Sequence, residues 1–299
     1  MSHRSPRFLP QLHCFVRGLN RRFAPKALLG LAGLLVSPQS LAAGIERDPM
    51  GFNLLGPVTP IADAVHTMNN YLLIMCFGIS LFVLSLILYI LWRYRAGRRN
   101  PVISQRTHNG PLEVIWTLVP TVIIVALAIP SFKLIHIEDN PPPAELTVIV
   151  RGYQWYWSYE YPDLEVEEFT SIMIPDEDIG PGQVRLLSVD APLVIPSETN
   201  VEFLITSGDV LHSFAVPNFA VRRDALPGRM TSDWAFVPAE KEGTYYGQCS
   251  ELCGIGHGFM PIEVRVVSKD QFESWVAESL ALGGPAAPPP RAALARATP

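Results

Sequence analysis

The sequence predicts a two-helix transmembrane hairpin that carries an exported all-β sandwich. Three observations predict it. Two apolar runs without charge lie close together, at 71–92 and 114–132. The loop between them holds Arg93, Arg95, Arg98, Arg99 and Arg106. After residue 140, short β-branched and aromatic runs alternate with turn residues. Composition agrees: the 299 residues are 48% apolar and only 17% charged, with a mean hydropathy of +0.22. A soluble domain carries about 25% charge. A disordered chain is excluded, and a purely soluble enzyme fits poorly.

Residues 1–43 read as a secretory signal. A basic stretch with Arg4, Arg7, Arg17, Arg21, Arg22 and Lys26 precedes the apolar run 27–36, and Ser40, Ala42 and Ala43 suit a signal peptidase. An uncleaved anchor is the alternative, but the run is short for a bilayer, which needs about 20 residues. Residues 44–66 form an exported segment and 67–139 the hairpin. Tyr71, Tyr89 and Trp92 sit at the ends of the first span, where aromatic rings favour the interface. Pro120 and Pro130 bend the second span without forbidding it. The arginine-rich loop stays cytoplasmic, so both ends lie outside. A buried hairpin of a soluble protein would not need two such charge-free runs.

Asn140-Pro141-Pro142-Pro143 makes a rigid break, and the domain 140–281 follows. Strands are expected at 146–150, 154–159, 184–189, 201–206, 211–216, 243–246 and 262–267, enough for a sandwich. An amphipathic helix follows at 269–280. The Ala/Pro-rich residues 282–299 are expected to be disordered.

Charge is divided unevenly. Residues 1–140 hold 13 Lys+Arg against 6 Asp+Glu, and residues 141–280 hold 8 against 22. An acidic domain on a basic, apolar stem argues against nucleic acid as a partner. It suits a positively charged protein.

Four cysteines occur, and only Cys249 and Cys253 fall in the exported domain. A disulfide is the plain reading in an oxidising compartment. The neighbours favour another. His257 and Met260 follow closely, and Gly247, Gly254, Gly256 and Gly258 make a helix there costly. A Gly-rich loop lets thiolates, an imidazole and a thioether converge on one point. That soft set selects copper, whereas zinc gains little from a thioether. His212, the other histidine of the domain, is the best candidate for a second imidazole.

The spacing Cys249-x3-Cys253-x3-His257-x2-Met260, with His212 upstream, resembles the dinuclear copper (CuA) centre of cytochrome c oxidase subunit II. The resemblance covers roughly residues 60–280. It includes Trp155-Tyr156-Trp157-Ser158-Tyr159-Glu160-Tyr161-Pro162, Asp209-Val210-Leu211-His212-Ser213-Phe214 and Asp224-Ala225-Leu226-Pro227-Gly228-Arg229. Tyr153 departs from it, since the family more often has His there, which puts a local hydrogen bond in doubt.

The resemblance implies a cupredoxin-like Greek-key sandwich. It implies that Cys249 and Cys253 bridge two copper ions, and that His212 and His257 bind one each. Met260 and the Glu251 backbone carbonyl would be weak outer ligands, and the Glu251 carboxylate would hold a Mg²⁺ shared with subunit I. Trp155 would receive electrons from cytochrome c, with Glu160, Asp163, Asp190 and Asp209 as candidate docking carboxylates. Trp157 reads better as core. Glu113 would open a proton-uptake path, although a carboxyl there also suits a helix N-terminus. The implied setting is a bacterial inner membrane beside subunits I and III of an aa3-type oxidase. Haem and O₂ chemistry would reside in subunit I, and this chain, lacking a haem ligand set of its own, would be a non-autonomous part of the enzyme. A membrane-tethered copper carrier and a disulfide-stapled anchor are the rival readings. The tail holds neither Met nor Cys for a carrier.

Overall fold

The computed structural model describes residues 53–95 and 107–289. The expected signal segment 1–43, most of the arginine-rich loop and residues 290–299 lie outside the described residues. Helix α1 spans Pro60–Arg93 and helix α2 spans Gly110–Asp139. Thr59 caps α1 by accepting from the Ala62 amide, with Pro60 at the first helical position. Asn109 caps α2 through the Leu112 amide, and Glu113 accepts from the Asn109 amide in return. At 1.5 Å per residue the helices are about 51 and 45 Å long. They outrun the apolar segments, and α1 starts earlier than residue 67.

Within the chain α1 buries only Ile61 and Ala62, and α2 buries nothing. Continuous exposed Leu, Ile, Val and Phe on both helices require lipid or another apolar surface. The protein is membrane-anchored. The feet of both helices are fastened to the β domain. The Val58 amide donates to the Asn218 carbonyl and the Thr59 hydroxyl to the Phe219 carbonyl. The Trp234 indole donates to the Glu138 carbonyl at 3.2 Å.

Ten strands follow: β1 Leu146–Tyr153, β2 Tyr156–Tyr161, β3 Val166–Ser171, β4 Leu193–Pro196, β5 Asn200–Ser207, β6 His212–Val216, β7 Val221–Ala225, β8 Thr231–Phe236, β9 Gly243–Cys249 and β10 Pro261–Val267. They form two five-stranded sheets, ordered β3-β2-β1-β5-β8 and β4-β10-β9-β6-β7. Two neighbouring pairs are parallel, β1–β5 and β4–β10, and the rest antiparallel. This is the expected sandwich. Strands β1 and β5 alternate buried and half-buried residues, as one face of a sheet on a core requires. Their inner residues Val148, Val150, Phe203 and Ile205 meet Phe214, Ile262 and Val264 of the other sheet.

The strand expected at 184–189 is a turn. The Ser188 hydroxyl accepts from the Val184 amide, and the Leu187 and Ser188 amides donate back to the Val184 carbonyl. A side chain that offers the backbone a local partner overrides an apolar run. Strands β3, β4, β7 and β8 were not expected. β3 and β7 are interrupted by charges, and β4 is four residues ending in proline.

Helix α3, Lys269–Leu282, packs Phe272 and Trp275 on Tyr161 and Phe169, with the Trp275 ring 5.4 Å from that of Tyr161. The tail differs from the expected disorder as far as Pro289. The Trp275 indole donates to the Ala286 carbonyl, the Ala286 amide to the Ser279 hydroxyl, and Arg265 to the Pro289 carbonyl.

Candidate metal centre

Strands β6 and β9 lie side by side, with Phe214 opposite Cys249. β9 also pairs with β10, Gln248 opposite Pro261. The segment 250–260 therefore leaves and returns at one end of one sheet. Cys249 stands at its start, Met260 at its finish, and His212, the first residue of β6, beside them. The Ser250 amide donates to the Ser213 carbonyl and pins the first bend. One 3-10 turn, His257–Phe259, brings the second imidazole back.

The two sulfurs, Cys249 Sγ and Cys253 Sγ, are 3.9 Å apart and both thiols are free. A disulfide would hold them at about 2.05 Å. His212 Nδ1 lies 3.8 Å from Cys249 Sγ, and His257 Nδ1 lies 3.6 Å from Cys253 Sγ. Met260 Sδ is 3.5 Å from Cys253 Sγ, and the Glu251 carbonyl oxygen is 3.3 Å from Cys249 Sγ. Among the described residues, His212, Cys249 and Cys253 form the one His/Cys/Asp/Glu group compact enough to hold a metal ion. His212, Met260, Cys253 and Cys249 are 0%, 1%, 3% and 6% exposed.

The His212 ring is held on three sides. Its Nε2 is 2.9 Å from Asp209 Oδ1, and Trp157 meets it edge-on at 6.0 Å. Gly152 lies beneath, where a Cβ would come within 2.9 Å of the ring. The Trp157 indole donates to the Met260 carbonyl at 3.2 Å, so one buried tryptophan braces two donors.

Burial opposes ionisation of both thiols. At Cys249, hydrogen bonding to His212 and to the Ser213 and Glu251 backbones outweighs burial and brings the thiol down to about 6. Cys253 moves the other way, pushed up to about 12 by burial and then by the charge on Cys249. Burial works against a charged His212, but Cys249 and Asp209 hold its pKa above the usual value. One thiolate forms readily and the second only against the first. Cations between the sulfurs would favour both, so the donor set fits a soft metal centre.

Residues 146–267 match the family described as cytochrome C oxidase subunit II, periplasmic domain, and residues 48–134 match its transmembrane domain. The chain belongs to the cytochrome c oxidase subunit II family. Probable cytochrome c oxidase subunit 2 of Rickettsia bellii is 46% identical over 252 residues, spanning 84% of this chain and 92% of that protein. Cytochrome c oxidase subunit 2 of Cereibacter sphaeroides is 40% identical over 274 residues, 84% and 89% of the two chains. Among solved structures, the periplasmic domain of subunit II of cytochrome oxidase (CoxB) of Bradyrhizobium japonicum is 44% identical. It covers 48% of this chain and 100% of that one, with a TM-score of 0.45.

The other residues singled out for a subunit II role fall in different places. Trp155 lies in the β1–β2 turn, half-buried against the loop 250–260. Its indole nitrogen donates to the Cys253 carbonyl at 3.3 Å. Gly256 leaves room for it: a Cβ there would sit 2.2 Å from Trp155 Cδ2. The Glu251 side chain, within the loop, is exposed. Glu113 serves the cap of α2. Each of the four candidate docking carboxylates has a partner of its own. Glu160 pairs with Arg151 at 2.7 Å, Asp163 accepts from the Thr147 amide, and Asp190 accepts from the Ile172 amide. Glu160 stands opposite Ile149, four positions along the ladder from the Trp155 turn. Asp209 is at the His212 ring.

Two contributors were missed from sequence. Gln154 donates its side-chain amide to the Cys253 carbonyl at 2.8 Å. The Asp209–His212 contact was hidden behind the docking reading, although the spacing Asp209-Val210-Leu211-His212 hints at it.

Proposed function

We propose that this chain is the electron-accepting subunit of a cytochrome c oxidase. Cys249, Cys253, His212, His257, Met260 and the Glu251 carbonyl would hold a dinuclear copper centre. One observation carries the reading: two free, buried thiols 3.9 Å apart, each faced by its own imidazole Nδ1. When bound, the copper pair would take up one electron at a time and share it over both metals. The protein's part is to keep the donors still. Antiparallel strands β6, β9 and β10 hold both ends of the loop, and Trp157 and Gly152 confine the His212 ring. A donor set that cannot relax suits rapid electron transfer between partners of similar potential.

In this reading Trp155 receives electrons from cytochrome c, supported by its indole contact with the backbone of the ligand Cys253. The electrons pass on to haem in subunit I, where O₂ is reduced and protons are pumped. The exposed Glu251 carboxylate would help to hold a Mg²⁺ shared with subunit I. Glu113 begins a proton-uptake path on the cytoplasmic side, and subunit III completes the membrane assembly. The β domain is periplasmic and the loop between the helices cytoplasmic, supported by the arginines of that loop. A copper carrier needs ligands open to exchange, and the burial of His212, Cys253 and Met260 argues against one.

Electron paramagnetic resonance of the purified complex tests this. One unpaired electron coupled to two copper nuclei is expected. Cys249→Ser should abolish cytochrome c oxidation in an assembled complex. A mononuclear copper spectrum, or a Cys249–Cys253 disulfide in the active complex, would sink the proposal.

A further inference from the structure

Asp209 belongs, on sequence, with the docking carboxylates, but its surroundings give both of its oxygens other work. Oδ1 lies 2.9 Å from His212 Nε2 and accepts from the Val210 amide at 2.6 Å and the Ser207 hydroxyl at 3.4 Å. Oδ2 accepts from the Gln154 amide at 2.7 Å. Gln154 in turn donates its side chain to the Cys253 carbonyl, and Trp155 follows it in the same turn. We propose that Asp209 is a positioning residue of the metal centre. Its carboxylate fixes the His212 ring and, through the Gln154 amide, the turn that sets Trp155 on the ligand loop.

The physical reason is double. A carboxylate on the far nitrogen of a ligating imidazole holds the proton there, turns the other nitrogen to the metal and strengthens it as a donor. The same carboxylate stitches β1–β2 to β6, so ligand and electron-receiving indole keep one relative placement. Neither task needs a partner protein. The inference rests on the copper reading above.

The test uses the purified complex with the full chain, as wild type, Asp209→Ala and Asp209→Asn. Three quantities are read: copper loss to a copper(I) chelator, the paramagnetic resonance spectrum, and the salt dependence of KM for cytochrome c. Asp209→Ala is expected to lose copper about 10- to 100-fold faster. Its hyperfine pattern should change, whether or not the salt dependence moves with the lost charge. Asp209→Asn keeps an oxygen for His212 and should fall between the two. Wild-type copper retention and spectrum in both variants, with only the salt dependence altered, would overturn the proposal and make Asp209 a docking charge. If Asp209→Ala does not assemble, Asp209→Asn decides alone: faster copper loss supports the role, and wild-type retention overturns it. A wild-type complex without a two-copper spectrum would instead remove the copper reading, and this inference with it.

Discussion

A methyl group on Gly256 would stand 2.2 Å from Cδ2 of Trp155. Gly256→Ala must push the indole off the loop while leaving every proposed metal donor in the sequence. Misplacing a reacting group by about 1 Å can cost on the order of 100-fold. Reduction of the copper by cytochrome c, followed by stopped flow, is expected to slow by about 10- to 100-fold with the copper spectrum unchanged. A wild-type rate would show that the indole is not on the route. The two thiols offer a second test, in the copper-free chain. The Cys249 thiol, at about 6, is mostly thiolate at pH 7, whereas Cys253, at about 12, stays protonated. Alkylation at Cys249 should rise as pH climbs through about 6 and precede that at Cys253; peptide mass spectrometry reads the order. Linkage gives the matching sign: the lowered Cys249 value adds stability that is complete above its unfolded pKa and is lost as pH falls through about 6. Residues of the loop were legible because the donors sit within twelve positions. Gln154 and Gly152 were not, because their partners lie 99 and 60 positions away and only folding brings them together; Asp209 sits three positions from His212, but spacing alone does not say where its carboxylate turns.

At the scale of elements, the membrane helices were legible from the absence of charge, but their ends were not. Thr59 and Asn109 set those ends through cap hydrogen bonds, well outside the apolar runs. The turn at 184–189 was misread because a serine hydroxyl, not hydrophobicity, decided the backbone. Helix α3 gives a testable case. Trp275 is 3% exposed, packs on Tyr161 and Phe169, and holds the tail through Ala286. Trp275→Ala should cost about 3–5 kcal/mol. A lowered denaturation midpoint of the β domain would show it, together with earlier proteolysis after residue 283. An unchanged midpoint would mean that the helix and tail lie on the sandwich without supporting it.

For the whole molecule, the excess of 22 Asp+Glu over 8 Lys+Arg across residues 141–280 makes a field rather than a patch. Under the proposed function, steering of a basic cytochrome c would rest on this summed charge, to which each candidate docking carboxylate adds one unit. Electron acceptance is expected to drop about tenfold or more between 10 mM and 100 mM salt, as the Debye length shrinks from about 30 to 10 Å. Glu160→Gln alone should scarcely alter that slope, because Glu160 is tied to Arg151. A flat salt profile would remove steering altogether. The sequence by itself determined the membrane hairpin, the sandwich and the candidate sulfur and nitrogen donors. These follow from local chemistry: unbroken apolar runs, alternating strands and clustered soft side chains. Only the tertiary structure decided which carboxylate serves a ligand, which tryptophan meets the loop, and that the two thiols stand apart. Trp155 and Cys253 are 98 positions apart and meet only through sheet pairing; Asp209 and His212, like the two cysteines, are near in the chain, and there the path of the backbone through turn and loop, not spacing, sets the distance.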